Sequence, residues 1–195
     1  MYTPRMASLV VLLLSIASAR AAHAERPGPA RFLLDGVVGL GVPLADTTYR
    51  DHSWPSPIFG LHLGAEIPVG RRISLAPEVG IDLGPVIGRS ATTTIQLRLQ
   101  PGLRVLIGFG HGHAFFFRAL VGASLFIFTP GGVDSPGKIN AGVGFEPGMG
   151  MQFRIAPRAV AGFTVGTPVS FHTYGQPLLW TYADLQVAAF VGYRR

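Results

Sequence analysis

This sequence predicts an all-β protein: an eight-stranded antiparallel up-and-down transmembrane β-barrel, preceded by a cleavable N-terminal signal peptide. Three observations predict it. First, large apolar residues alternate with small, polar and charged ones along nearly the whole chain after the leader, as in Ile73-Ser74-Leu75-Ala76-Pro77-Glu78-Val79-Gly80-Ile81-Asp82-Leu83. A strand points successive side chains to opposite faces, so each such segment has one greasy and one polar face. Second, the chain is 48% hydrophobic with mean hydropathy +0.39, yet no run after the leader reaches the roughly 18 apolar residues of a membrane helix. Of the two structures that satisfy their backbone inside a bilayer, that leaves the closed barrel. Third, Lys138 is the sole lysine, whereas a soluble β protein guards its faces and edges with lysine and other charges.

The elements follow in order. Residues 1–24 read as a signal peptide: Arg5 supplies a positive start, Leu9-Val10-Val11-Leu12-Leu13-Leu14 a short apolar core, and Ala22-His23-Ala24 a cleavage site, with Ala19-Arg20-Ala21 as a second choice. Residues 25–195 form a single barrel domain. No cysteine is present, so there is neither a disulfide framework nor a lipid-bearing cysteine after the leader.

In the first strand Phe32, Leu34, Val38, Leu40 and Val42 oppose Leu33, Asp35, Gly39 and Gly41. In the second, Phe59, Leu61, Leu63, Ala65, Ile67 and Val69 oppose Gly60, His62, Gly64 and Glu66. The third is the segment quoted above. The fourth sets Ile95, Leu97, Leu99, Leu103, Val105 and Ile107 against Gln96, Arg98, Gln100 and Arg104. The fifth sets Phe115, Phe117, Ala119, Val121, Ala123 and Leu125 against Phe116, Arg118, Gly122 and Ser124. The sixth, from Ile139 to Ile155, puts Glu146, Gln152, Arg154 and several glycines on its polar face. The seventh runs through Ala161, Phe163, Val165 and Val169, and the last from Ala183 to Tyr193 with Asp184 and Gln186 opposite. Eight is an even number, as single-chain barrels of this kind have.

The connections alternate in length. Those at Gly70–Arg72, Gly108–His113 and Ala156–Arg158 are short; those at Pro43–Pro57, Gly84–Ala91, Thr129–Lys138 and Ser170–Leu179 are longer and rich in proline and glycine. Aromatics gather at the strand ends: Phe32, Phe115, Phe153 and Tyr193 on the short-turn side, and Trp54, Phe59, Phe128, Phe171, Tyr174 and Trp180 on the other. Both asymmetries are those of a membrane barrel with aromatic girdles.

Charge excludes more than it identifies. The pI is near 10.5, but removing the leader's Arg5 and Arg20 leaves 14 basic against 10 acidic residues, and the arginines are scattered along strands, with only Arg71-Arg72 and Arg194-Arg195 adjacent. That argues against a nucleic-acid patch.

The pattern and size of residues from about Arg31 onward resemble the small outer-membrane β-barrel families of Gram-negative bacteria, of the OmpA-transmembrane and OmpX type. The ending from Leu185 to Arg195 resembles the assembly signal those families present to the barrel-insertion machinery, with Arg194 and Arg195 following the usual terminal aromatic, here Tyr193. The resemblance implies a bacterial outer-membrane location, periplasmic short turns, and outer-membrane lipid and lipopolysaccharide as partners.

An eight-stranded barrel leaves room only for side chains to fill its lumen. The polar faces therefore predict an interior ion-pair network of Glu66, Glu78, Asp82, Arg98, Arg104, Arg118, Glu146 and Arg154. A hairpin centred near Gly88 puts Glu78 opposite Arg98, and one centred near His111 puts Arg104 beside Arg118, with Glu78 and Glu146 as their carboxylates. Such an interior suits a structural or surface-interaction barrel plugged by charge, or alternatively a narrow small-solute channel.

Other chemistry is weaker. The Gly-x-Gly repeats have the spacing of an inward strand face and open no helix, so they are not nucleotide loops. His111-Gly112-His113 offers two metal ligands and lacks a third. Ser170, His172 and Asp184 suggest a hydrolase, because some outer-membrane barrels deacylate lipid A with a Ser/His pair. In that family the serine follows the histidine by two residues, where this chain has Tyr174. The expectation is no enzyme, no cofactor, no metal and no nucleic acid.

Overall fold

The computed structural model describes residues 29–46, 55–87, 93–128, 139–173 and 179–195. The leader and the middles of the long connections, with Trp54 and Tyr174, lie outside the described residues. Nine strands follow in chain order among those described: β1 (Arg31–Asp46), β2 (Ser56–Pro68), β3 (Ile73–Ile87), β4 (Thr93–Gly110), β5 (His113–Phe128), β6 (Ile139–Ala156), β7 (Ala159–Gly166), β8 (Val169–Thr173) and β9 (Leu179–Arg194). Pairing is antiparallel throughout, and β1 pairs with β9, so the sheet closes on itself. No helix among the described residues is long and apolar enough to cross a membrane.

β7 and β8 lie end to end between the same two neighbours, β6 and β9. They form one stave interrupted at Thr167 and Pro168, so the barrel has eight staves with the seventh broken. Proline contributes no N–H to a ladder. The break stays docked because the Thr167 N–H donates to the Pro147 carbonyl (3.0 Å) and the Asp184 N–H to the Pro168 carbonyl (3.2 Å). β4 and β6 are the longest staves, at 18 residues each, and the outward apolar set of β6 runs its length from Ile139 to Ile155.

At one end the turns are short. Val69 and Gly70 both donate to the Ile73 carbonyl, at 2.9 and 3.1 Å. The β4–β5 reversal places Gly110, His111 and Gly112 at φ of 123°, 50° and 81°, a region that only glycine enters without strain. A Cβ on Gly112 would also meet Arg154 Cδ at 2.7 Å.

The two faces separate as the alternation predicts. Outward residues such as Val121, Val143 and Val191 are 52%, 58% and 63% exposed, while Asp35, His62, Gln100, Arg104 and Glu146 are at most 2% exposed. An apolar exterior around a polar interior is the reverse of a soluble protein, and it fits a lipid surround. Phe32, Phe109, Phe115 and Tyr193 are exposed at the short-turn end, where the lower girdle was expected.

The register corrects one prediction. β3 sets Asp82, not Glu78, opposite Arg98, and Glu78 faces Gly102. The predicted hairpin centre was too early, because a loop's length does not reveal where its ladder ends. The partner moves by four residues, an even number, so every side chain keeps its face. The β4–β5 register places Arg104 directly opposite Arg118.

Candidate functional site: the charged interior

The interior is layered along the barrel axis. Near the short turns, Leu33, Ala76, Leu106, Ala114, Phe116, Val160 and Phe190 pack into an apolar floor. Near the long loops, Val86, Phe126 and Tyr182 form a second apolar layer. All of these point inward, on strands whose inward faces also carry polar and charged residues. Most of the charges lie between the two layers, and Arg194 also reaches the short-turn mouth.

The lower charged layer centres on Asp35 of β1. Arg194 of β9 reaches it with both terminal nitrogens, at 2.5 Å to Oδ1 and 3.2 Å to Oδ2. Arg104 of β4 donates to Asp35 Oδ2 at 2.8 Å and pairs with Glu78 Oε2 at 2.5 Å. Arg194 also donates to Gln152 Oε1 at 3.2 Å. The Arg104 guanidinium stands 4.9 Å from the Phe116 ring centre, within the range of a cation–π contact. Two carboxylates therefore meet two guanidinium groups, and the layer is neutral.

The upper charged layer centres on Glu146 of β6, which is held by Arg118 through a charged hydrogen bond and by Arg98 at 3.2 Å. Arg98 lies 3.8 Å from Asp82 and donates to Gln186 Oε1 at 3.1 Å. Gln186 in turn donates to Asp184 at 3.0 Å. His62 completes the layer. Its Nδ1 accepts from Arg118 at 3.1 Å, so the proton sits on Nε2 and is donated to Asp82, also at 3.1 Å. Buried charges persist when each is paired and hydrogen-bonded.

Of the eight predicted network residues, the structure brings six together: Glu78, Asp82, Arg98, Arg104, Arg118 and Glu146. The other two lie elsewhere. Arg154 is exposed and turns back on its own hairpin, donating to the carbonyls of Ala156 (3.3 Å) and Pro157 (3.2 Å). Glu66 is half-buried at the short-turn mouth. Both occupy inward positions so near a strand end that the lumen has already opened to solvent. Arg194 was missed because it followed the terminal aromatic and read as a trailing residue. Its even spacing from Gln186 and Asp184 was the signal available.

The weaker candidates also have places. His113 accepts from the Arg154 backbone N–H at 3.2 Å and lies between Phe109 and Phe153, at 5.9 and 5.7 Å. No cluster of three His, Asp or Glu suited to a metal occurs among the described residues. Ser170, His172 and Asp184 all point into the upper lumen. There Asp184 is held by Gln186, His172 packs edge-on to Phe126 at 4.7 Å, and the Ser170 hydroxyl has no hydrogen-bond partner among the described residues.

No family model matches this chain, and no curated protein matches it significantly. Solved structures do. It is similar to Neisserial surface protein A at 12% identity, covering 87% of this chain and 99% of that one, with a TM-score of 0.51. It is also similar to Ail, the attachment invasion locus protein of Yersinia pestis, at 10% identity, covering 85% and 98%, with a TM-score of 0.52. Closure into eight staves, an apolar exterior and these two likenesses agree: the chain has the fold of the small bacterial outer-membrane β-barrels.

Proposed function

We propose that this protein is an integral outer-membrane scaffold, acting as a structural or surface-interaction barrel whose lumen is plugged by its own side chains. One observation carries the reading. Arg98 on β4 and Gln186 on β9 are hydrogen-bonded at 3.1 Å, although their staves are the fourth and eighth of eight and so stand on opposite walls. This bridge across the full width, with Glu146, Arg118, His62 and Asp82 around it, supports a lumen closed by side chains among the described residues. Solute passage would require breaking buried ion pairs, each costly to open.

In this reading the contacts with lipid and lipopolysaccharide are made by the apolar exterior and the long loops, and the barrel-insertion machinery meets the segment ending in Tyr193, Arg194 and Arg195. The barrel has no catalytic role. The names of the two similar barrels, a surface protein and an attachment protein, accord with a surface role, although at 10–12% identity they carry only the fold. Planar-bilayer recording of the refolded, lipid-reconstituted protein tests the proposal. Baseline conductance is expected. A steady, voltage-independent current would replace the scaffold with a narrow small-solute channel.

A further inference from the structure

Sequence order scatters the arginines; barrel closure gathers them. A cavity of about 910 Å³ opens at the short-turn end. Arg31, Arg71, Arg72, Arg154, Arg158 and Arg195 line it, all exposed, from four segments distant in sequence. Among the described residues Glu66 is the one acidic side chain lining it. Counting side chains, this mouth carries an excess of five positive charges. The lumen above holds Arg98, Arg104, Arg118 and Arg194 against Asp35, Glu78, Asp82, Glu146 and Asp184, and so comes within one charge of balance. The basic excess of the described residues is thus concentrated at one rim.

Arg194 lines the same cavity from its wall: it is 8% exposed, and its guanidinium is held by Asp35 and Gln152. Exposed arginines around a concave mouth, with a buried guanidinium in its wall, suit a multivalent oxyanion taken by forked N–H donors. The exposed Phe32, Phe109 and Tyr193 set the mouth at the level of a membrane interface, where aromatic girdles sit.

We propose that this mouth is a binding site for phosphate-bearing anions, either a free phosphorylated solute or the headgroups of anionic phospholipid in the adjoining leaflet. Two arms separate the sources. Inorganic pyrophosphate is titrated into the full protein in neutral maltoside micelles, following the Arg194 Nε–Hε NMR signal and the amides of residues 110–112 and 158–159. Separately, the same signals are compared in nanodiscs of phosphatidylcholine with and without phosphatidylglycerol. Saturable shifts in the first arm assign a soluble ligand, and shifts confined to the second assign lipid headgroups; either supports the site. The double variant R31Q/R158Q should weaken the response at least about tenfold, and E66Q should strengthen it about two- to threefold. These positions lie at the exposed or half-buried rim, so the fold is expected to persist, which dispersion of the remaining amide signals checks. No shift in either arm, or shifts reproduced by sodium chloride at equal ionic strength, would overturn the proposal.

Discussion

Arg104 lies directly opposite Arg118 across the β4–β5 ladder, and each guanidinium turns away to its own carboxylates: Arg104 to Asp35 and Glu78, Arg118 to Glu146. Like charges facing each other across a ladder are destabilising. Here the repulsion is offset because acidic residues come from β1, β3 and β6, on both sides of the pair. The two arginines therefore belong to different charged layers, and that division makes the interior testable one layer at a time.

Glu146 is the most heavily engaged carboxylate of the upper layer. Glu146→Gln would leave Arg98 and Arg118 sharing a neutral amide in a fully buried position. Removing one partner of a buried pair costs about 3–5 kcal/mol. Urea unfolding of the protein in lipid vesicles should show a loss in that range. A loss below about 1 kcal/mol would mean that the layer is solvated rather than dry.

The register sets a sharper comparison. Glu78 touches Arg104 at 2.5 Å and faces Gly102, while Arg98 answers to Asp82 and Glu146. Double-mutant cycles should find coupling of about 0.5–3 kcal/mol between Glu78 and Arg104, against additivity between Glu78 and Arg98. The reverse result would move the β3–β4 ladder by four residues.

The outer face is probed at Val121, which is 52% exposed near the middle of β5. Val121→Arg should cost about 2–4 kcal/mol at the bilayer midplane, whereas Val121→Leu should leave the unfolding midpoint nearly unchanged. Equal, small effects from both would show that this face is wet.

Gly192 tests the seam. A Cβ there would land on the Asp35 carboxylate and stand 2.8 Å from Arg194 Nη1, pushing the clamp apart. Gly192→Ala should destabilise by about 1–3 kcal/mol through overpacking, seen as a lower temperature for loss of the compact, fast-migrating gel form. An unchanged temperature would mean that the Arg194–Asp35 contact is dispensable.

The fold was legible because a period of two is written into every stave, from Ile73–Leu83 to Ala183–Tyr193, and the face carrying charge had to be the lumen. The inward set was legible for the same reason; in it Glu78 pairs with Arg104 and Arg118 with Glu146. The rest depended on three-dimensional closure. Nothing in the run from Gly84 to Thr93 says that its ladder centres nearer Ser90 than Gly88, so Arg98 was given the wrong carboxylate. Pro168 interrupts a stave that alternation alone makes continuous. The arginine rim draws on four segments of the sequence, and no linear reading groups them.

The pairing of β1 with β9, with Asp35 and Arg194 separated by 159 positions, has a consequence for how the molecule comes into being. Until that seam zips, two strand edges face lipid with their amides and carbonyls unmatched, at several kcal/mol for each orphaned group. A partial ring is therefore no smaller version of the whole. Closure must be an all-or-none event that joins the most distant contacts of the chain, the slowest kind to find unaided. A chaperoned template that holds the open edge would do most to speed it, and shortening the chain by even one stave should abolish the barrel rather than narrow it.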